Sequence, residues 1–113
     1  KDNLIPNKLN AFTIMAENYE LIDNKERHQY EFHVEKYTPR IEYIKSINGE
    51  IFLTHTEVPA GLGGRGIGSQ LVEKTLQDIE RQQLRLVPLC PFIAGYIHKH
   101  PEWRRIVLRG VHV

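Results

Sequence analysis

A chain of 113 residues has room for one domain around one core, burying roughly two thirds of the surface that its unfolded form would expose. An apolar fraction of 41%, a charged fraction of 26% and a net charge of +1 describe an ordinary soluble globular protein, with no charge excess that would point to nucleic acid or a membrane surface as partner. The single cysteine excludes an intrachain disulfide; with no glycosylation sequon, no apolar run of signal or spanning length and no lipidation motif, the expected compartment is the cytoplasm. Numbering starts at Lys1 and not at a methionine, so an upstream piece is expected to have been removed or left out.

Residues 1–18 are expected to form an N-terminal extension and residues 19–113 a single domain. Within 11–22 a short helix and a lead-in strand are both open. In 28–36, Tyr30, Phe32 and Val34 alternate with Glu31, His33 and Glu35, the period of a half-buried strand, and Thr38-Pro39 then breaks the run. Alternation resumes over 40–47, with Ile41, Tyr43 and Ile47 expected on one face. Asn48-Gly49 signals a tight hairpin, and 51–58 is the return strand. These stretches predict an antiparallel meander of at least three strands.

After the hairpin the period changes. Ile67, Leu71, Val72, Leu76 and Ile79 recur at helical spacing, so 66–83 reads as an amphipathic helix. Residues 84–89 form a short apolar strand, and a right-handed crossover makes it parallel to the strand before the helix. Pro91 suits the first position of a second helix that runs to Lys99 and stops at His100-Pro101. The tail 104–113 supplies a last strand. The fold class is therefore α/β (α+β): a mixed sheet with two main helices.

Between the meander and the first helix lie five of the eight glycines, Gly61, Gly63, Gly64, Gly66 and Gly68. Such a cluster at a helix start suits close approach of a phosphate to the main chain. Gly61, Gly63 and Gly66 satisfy the dinucleotide fingerprint, but the strand after the helix ends in Leu89-Cys90 with no carboxylate to hold a ribose, and an antiparallel meander stands where that fold needs βαβ units. No Gly-Lys-Ser/Thr follows, which excludes a P-loop. Chain reversal alone would need only one or two glycines.

The segments HTEVPAGLGGRGIGSQLVEKTL and VPLCPFIAGYIHKHPEW resemble the acyl-CoA-binding helix and the following strand and helix of the GNAT N-acetyltransferase superfamily, in its minimal single-domain, YjdJ-like branch. The resemblance spans residues 20–103. It implies an acetyl-CoA-dependent transferase acting on a primary amine, including one on a protein. The alternative is a CoA-binding or protein-interaction module of the same fold without turnover. Gly66 and Gly68 take the two small positions of the family's Gln/Arg-x-x-Gly-x-Gly/Ala pattern, and Gly63 stands where the family usually has Gln or Arg. Arg65 is a partial substitute for that missing side chain. The amides of Gly63, Gly64, Arg65, Gly66, Ile67, Gly68 and Ser69 are the expected pyrophosphate contacts. In the family the strands flanking the helix splay apart, and the pantetheine arm pairs with the first of them, here residues 53–58 with Thr56 and Val58. Lys99, Arg104, Arg105 and Arg109 could hold outlying phosphates or simply form a solvated basic face. The full-size fold inserts two helices after its first strand; residues 19–30 leave no room for them, so an open acceptor side is expected.

Four side chains are candidates for catalysis. His55 is expected mid-strand beside the thioester, on the same face as Leu53 and Glu57, as general base or as a core histidine. Glu57 could orient it, act as base itself or be solvated. Cys90, at a helix start where amides favour thiolate, matches the suspected active-site cysteine of the minimal branch; it could also be a buried small hydrophobe. Tyr96 matches the tyrosine that many superfamily members use to protonate the leaving thiolate, with packing on the sheet as the other possibility. No metal site is expected: His98 and His100, two apart on a helix, point to different faces, and His28, His33 and His112 show no ligand spacing.

Overall fold

The computed structural model of the chain describes residues 17–113. Residues 1–16, with most of the expected N-terminal extension and the start of the ambiguous 11–22 stretch, lie outside the described residues. Five strands form one sheet in the order β1 (Ile22–Asn24), β2 (Gln29–Glu31), β3 (Arg40–Lys45), β4 (Glu50–Glu57) and β5 (Arg85–Pro88). The first four are antiparallel, and β4 and β5 run parallel, as the crossover requires. Two helices follow the sequence periods closely: α1 (Ile67–Arg81) and α2 (Pro91–Lys99).

The alternation of Tyr30, Phe32 and Val34 is realised, since all three are buried. Their segment is nevertheless a strand for only three residues. Phe32 N donates to Pro39 O at 3.1 Å, Val34 pairs with Tyr37, and Glu35 turns the chain at φ 57. Asn48-Gly49 does make the next reversal, with Gly49 at φ 84 and the Ser46 hydroxyl accepting from the amides of Asn48 and Glu50. Ile47 departs from expectation. It sits on this turn and is fully exposed, because β3 ends at Lys45 and the turn consumes 47–49.

Helix α1 buries Ile67, Leu71, Val72, Thr75, Leu76 and Ile79, and α2 buries Ile93 and Ile97. They join Tyr30, Ile41, Ile51 and Leu53 of the sheet in one cluster, so the core occupies one face of the sheet. Two inward tyrosines keep their hydroxyls satisfied: Tyr30 donates to Asp78 at 2.8 Å and Tyr43 to Asp23 at 2.6 Å. Burial first, then the neighbouring carboxylate, pushes both phenols above their ordinary range. The tail corrects the sequence reading. Instead of a last strand it forms a 3-10 helix, Pro101–Ile106, which sends Trp103 and Ile106 into the core; afterwards only Val107 bridges to Leu86.

The other face of the sheet carries the apolar pair Ile44 and Phe52 near the hairpin and polar side chains farther along, and among the described residues no helix covers it. Strand register sets Glu31, Arg40 and Glu57 in one cross-strand row and Gln29, Glu42 and His55 in the next.

Candidate active site at the mouth of helix α1

The loop from β4 to α1 is anchored before it opens. Ala60–Leu62 make one 3-10 turn, with Leu62 buried, and the amides of Leu62 and Gly63 bond back to Pro59 and Ala60. Gly61 passes under Tyr37 so closely that a β-carbon there would lie 2.6 Å from the phenol Cζ. Sequence reading missed this need, because the partner belongs to the β2–β3 connection. Beyond Gly63 the chain reverses through Gly64 at φ 77 and Gly66 at φ 70, and Gly66 is the N-cap of α1. A β-carbon at either would meet nothing within 4 Å; there the backbone angle demands glycine and the space in front is open.

The next backbone bond into the helix is Gln70 N to Gly66 O, at 3.1 Å. Among the described residues, no acceptor takes any amide from 64 to 69. No side chain caps the helix and no acid stands in its first turn. Six consecutive donors therefore stand without an acceptor at the positive end of a fifteen-residue helix, an arrangement suited to an anion with several oxygens. Ser69 is exposed beside them, Ile67 anchors the turn in the core, and Gly68 lies between Val58 and Phe92. Arg65 does not leave its charge free for this mouth. Its guanidinium bonds Glu35 at 3.1 Å, Glu17 at 3.0 Å and the Tyr19 hydroxyl at 2.9 Å, so the potential there comes from amides. Of the outlying basic residues, Arg105 is bidentate to Glu80 and Arg104 donates to the Val113 carbonyl.

Beside the mouth the parallel pair comes apart. Its register ends at Leu53 and Pro88; the amides of Leu89 and Cys90 then both donate to Leu53 O at 3.0 Å, and the chain turns into α2. The rest of β4 keeps β3 as partner on one edge alone. Within it, Tyr43 pairs with Leu53 and Glu42 with His55, so Thr54 is an extra residue, a β-bulge whose hydroxyl donates to Glu42 O at 3.2 Å.

The bulge overturns one expectation. His55 does not share the face of Leu53, because the added residue shifts the alternation by one. Leu53 is fully buried, whereas His55 and Glu57 stand on the outward face with side chains 51% and 48% exposed, paired at 3.0 Å. Thr56 turns inward instead, and its Oγ1 accepts from the Cys90 thiol at 3.3 Å. Cys90 is buried at the N-cap of α2. Hence Thr56, Val58 and Cys90 line the helix side of the gap, and His55 with Glu57 borders its outward side. Tyr96 is committed elsewhere: its hydroxyl donates at 2.5 Å to Glu73 of α1, which also accepts from the Trp103 indole. Burial and that carboxylate push the phenol pKa well above its ordinary value. Glu73 and Trp103 carried no signal in the sequence, since their link to Tyr96 depends on how two helices pack. Among the described residues, no group of three or more His, Cys, Asp or Glu side chains could hold a metal, and no helix is long and apolar enough to cross a membrane.

An open amide mouth, a parallel pair that parts beside it and a five-stranded mixed sheet converge on one family. Residues 29–106 match the family described as GCN5-related N-acetyl-transferase, and the chain belongs to it. It is also similar to the solution NMR structure of a GCN5-like candidate N-acetyltransferase from Staphylococcus aureus, with a TM-score of 0.62 and 22% identity over 80% of this chain and 89% of that one; this likeness shows the fold. No curated protein matches the sequence.

Proposed function

We propose that this chain transfers an acetyl group from acetyl-CoA to a primary amine, as its family and fold suggest. The observation that carries the proposal is the run of unbonded amides at 64–69 opening beside the unpaired edge of β4. Bound acetyl-CoA would bring the acyl group as an activated thioester. The amides and the helix dipole would hold its diphosphate, and the free edge beyond Leu53, with Thr56 and Val58, would bond the pantetheine arm. Cys90, on the helix side of the gap, is the residue that meets the acyl end. From the outward side His55, oriented by Glu57, takes the acceptor's proton. An alkylamine with a free pKa near 10.4 costs about 4–5 kcal/mol to present uncharged at pH 7, and a positioned base offsets part of that. Tyr96 can protonate the departing thiolate only by leaving Glu73. Among the described residues no helix covers this sheet face, which leaves the acceptor side open for a small amine or one on a protein.

Melting curves and intact mass with acetyl-CoA test this. Ligand at a hundredfold excess over its Kd adds about 2.7 kcal/mol, a rise of several degrees in Tm, and acetylated product appears. His55→Ala lowers turnover by about 10²–10⁴-fold. A melting shift with no acetyl on any amine or on Cys90 would instead indicate a CoA-binding module. No shift at saturation would leave a protein-interaction module of the same fold.

A further inference from the structure

The outward face of the sheet is not uniformly wet. His55 and Glu57 are half exposed, yet in the same two rows the Glu31 side chain is only 5% exposed and Gln29 is buried. They form the floor of a polar cleft of about 430 Å³, walled by Arg27, Thr38, Arg40 and Glu42. Burial alone would favour a neutral Glu31, but donors at Gln29 (2.6 Å), His33 (2.6 Å) and Asn24 (3.2 Å) outweigh it and hold the carboxyl below its usual range. Those three bonds leave one of the carboxylate's four acceptor positions unfilled. Arg40 and Glu42 satisfy each other at 2.8 Å, while Arg27 has no carboxylate partner among the described residues. The cleft thus offers a desolvated anion and an uncommitted cation to one small ligand. Its walls are in register with β4: Arg40 faces Glu57, and Glu42 faces His55. The proposed base is therefore about 5–10 Å away, one or two strand spacings.

We propose that this cleft holds the acceptor of the transferase reading above, and that the acceptor is a free diamino acid of the lysine or ornithine class. Its α-ammonium sits on Glu31, its α-carboxylate on Arg27, and its side chain crosses β3 to present the distal amine to His55. In the transfer, the ammonium gives one proton to His55, the freed amine nitrogen bonds the acetyl carbonyl carbon, the carbon–sulfur bond of the thioester breaks, and the nitrogen's second proton goes to the departing thiolate, so that CoA leaves as the thiol.

Calorimetric titration of L-lysine and L-ornithine into the protein without CoA reads the cleft; mass analysis of the same amines after incubation with acetyl-CoA reads the reaction. Lysine should bind, Glu31→Gln and the surface change Arg27→Gln should each weaken it by about tenfold, and cadaverine, which lacks the carboxylate, should bind no better than to Arg27→Gln. The distal amine should be the one acetylated. Lysine affinity unchanged in both variants, no lysine binding, or turnover of lysine-containing peptides without turnover of free lysine would overturn the proposal. Because Arg27 lies on the surface, its variant keeps the test decisive if Glu31→Gln does not fold. Failure of acetyl-CoA to bind would end the transferase reading, and lysine titration of the unliganded cleft reports separately from it.

Discussion

The two faces of the sheet use the same strands for opposite purposes. On the covered face Tyr30, Ile41, Ile51 and Leu53 are sealed beneath the two helices, and their contribution is area removed from water. On the bare face Gln29, Glu31, Arg40, Glu42, His55 and Glu57 alternate with them, and their contribution is charge held in place. β4 shows how the faces are allotted. Up to Leu53 it is paired on both edges; after the Thr54 bulge it loses β5, and the order of inward and outward side chains is exchanged. One inserted residue therefore decides that a threonine meets Cys90 while the histidine meets the open side.

Stability measurements can sharpen this contrast. Leu53→Ala should cost about 2–5 kcal/mol in urea or thermal unfolding, since it would open a cavity in the fully buried core between β4 and the helices. Gly61→Ala, in the loop that joins the faces, should cost about 1–3 kcal/mol because its β-carbon must displace Tyr37. A loss below about 0.5 kcal/mol would mean that Tyr37 swings away freely. Acidification should act on the bare face through Glu31 and on α1 through Asp78, whose burial is outweighed by donors on Tyr30, Arg81 and Gln82 that hold it below its ordinary range. Glu31 titrates lower in the folded chain than at its ordinary 4.5, so the stability it adds is present above about pH 4.5 and is lost as pH falls through the folded value. Glu31→Gln should flatten that part of the profile, and an unchanged acid limb would place the loss at other carboxylates. His55→Ala, half exposed, should change stability by no more than about 0.5 kcal/mol.

Much of this architecture was legible because its causes are local. Asn48-Gly49 makes its turn with its own backbone and Ser46, α1 follows a spacing of apolar residues that any amphipathic helix shows, and Pro91 begins α2 because its missing amide is not needed there. What escaped the sequence depends on partners distant along the chain. The bulge exists only relative to β3, so counting by twos placed His55 on the wrong face. Gly61 answers to Tyr37, and Tyr96 answers to Glu73. The tail 104–113 reads as a strand, whereas Trp103 finds its place in the core through a 3-10 turn. Of the candidate site, a bare backbone at the helix mouth was legible in the glycine cluster and the particular amides in the family resemblance, but the capture of Arg65 by Glu17 and Glu35 was not, because surface ion pairs leave no periodic trace.

The last strand of the sheet is guarded very lightly. Leu108 N donates to Leu86 O at 2.8 Å, and Val107 bridges the same residue, so two residues fasten the outer rim of β5. Trimming the chain before Val107 would leave that ribbon of amides and carbonyls unclaimed, and a second molecule could zip onto it. Self-association on truncation, visible as light scattering, is the behaviour this slender clasp holds in check.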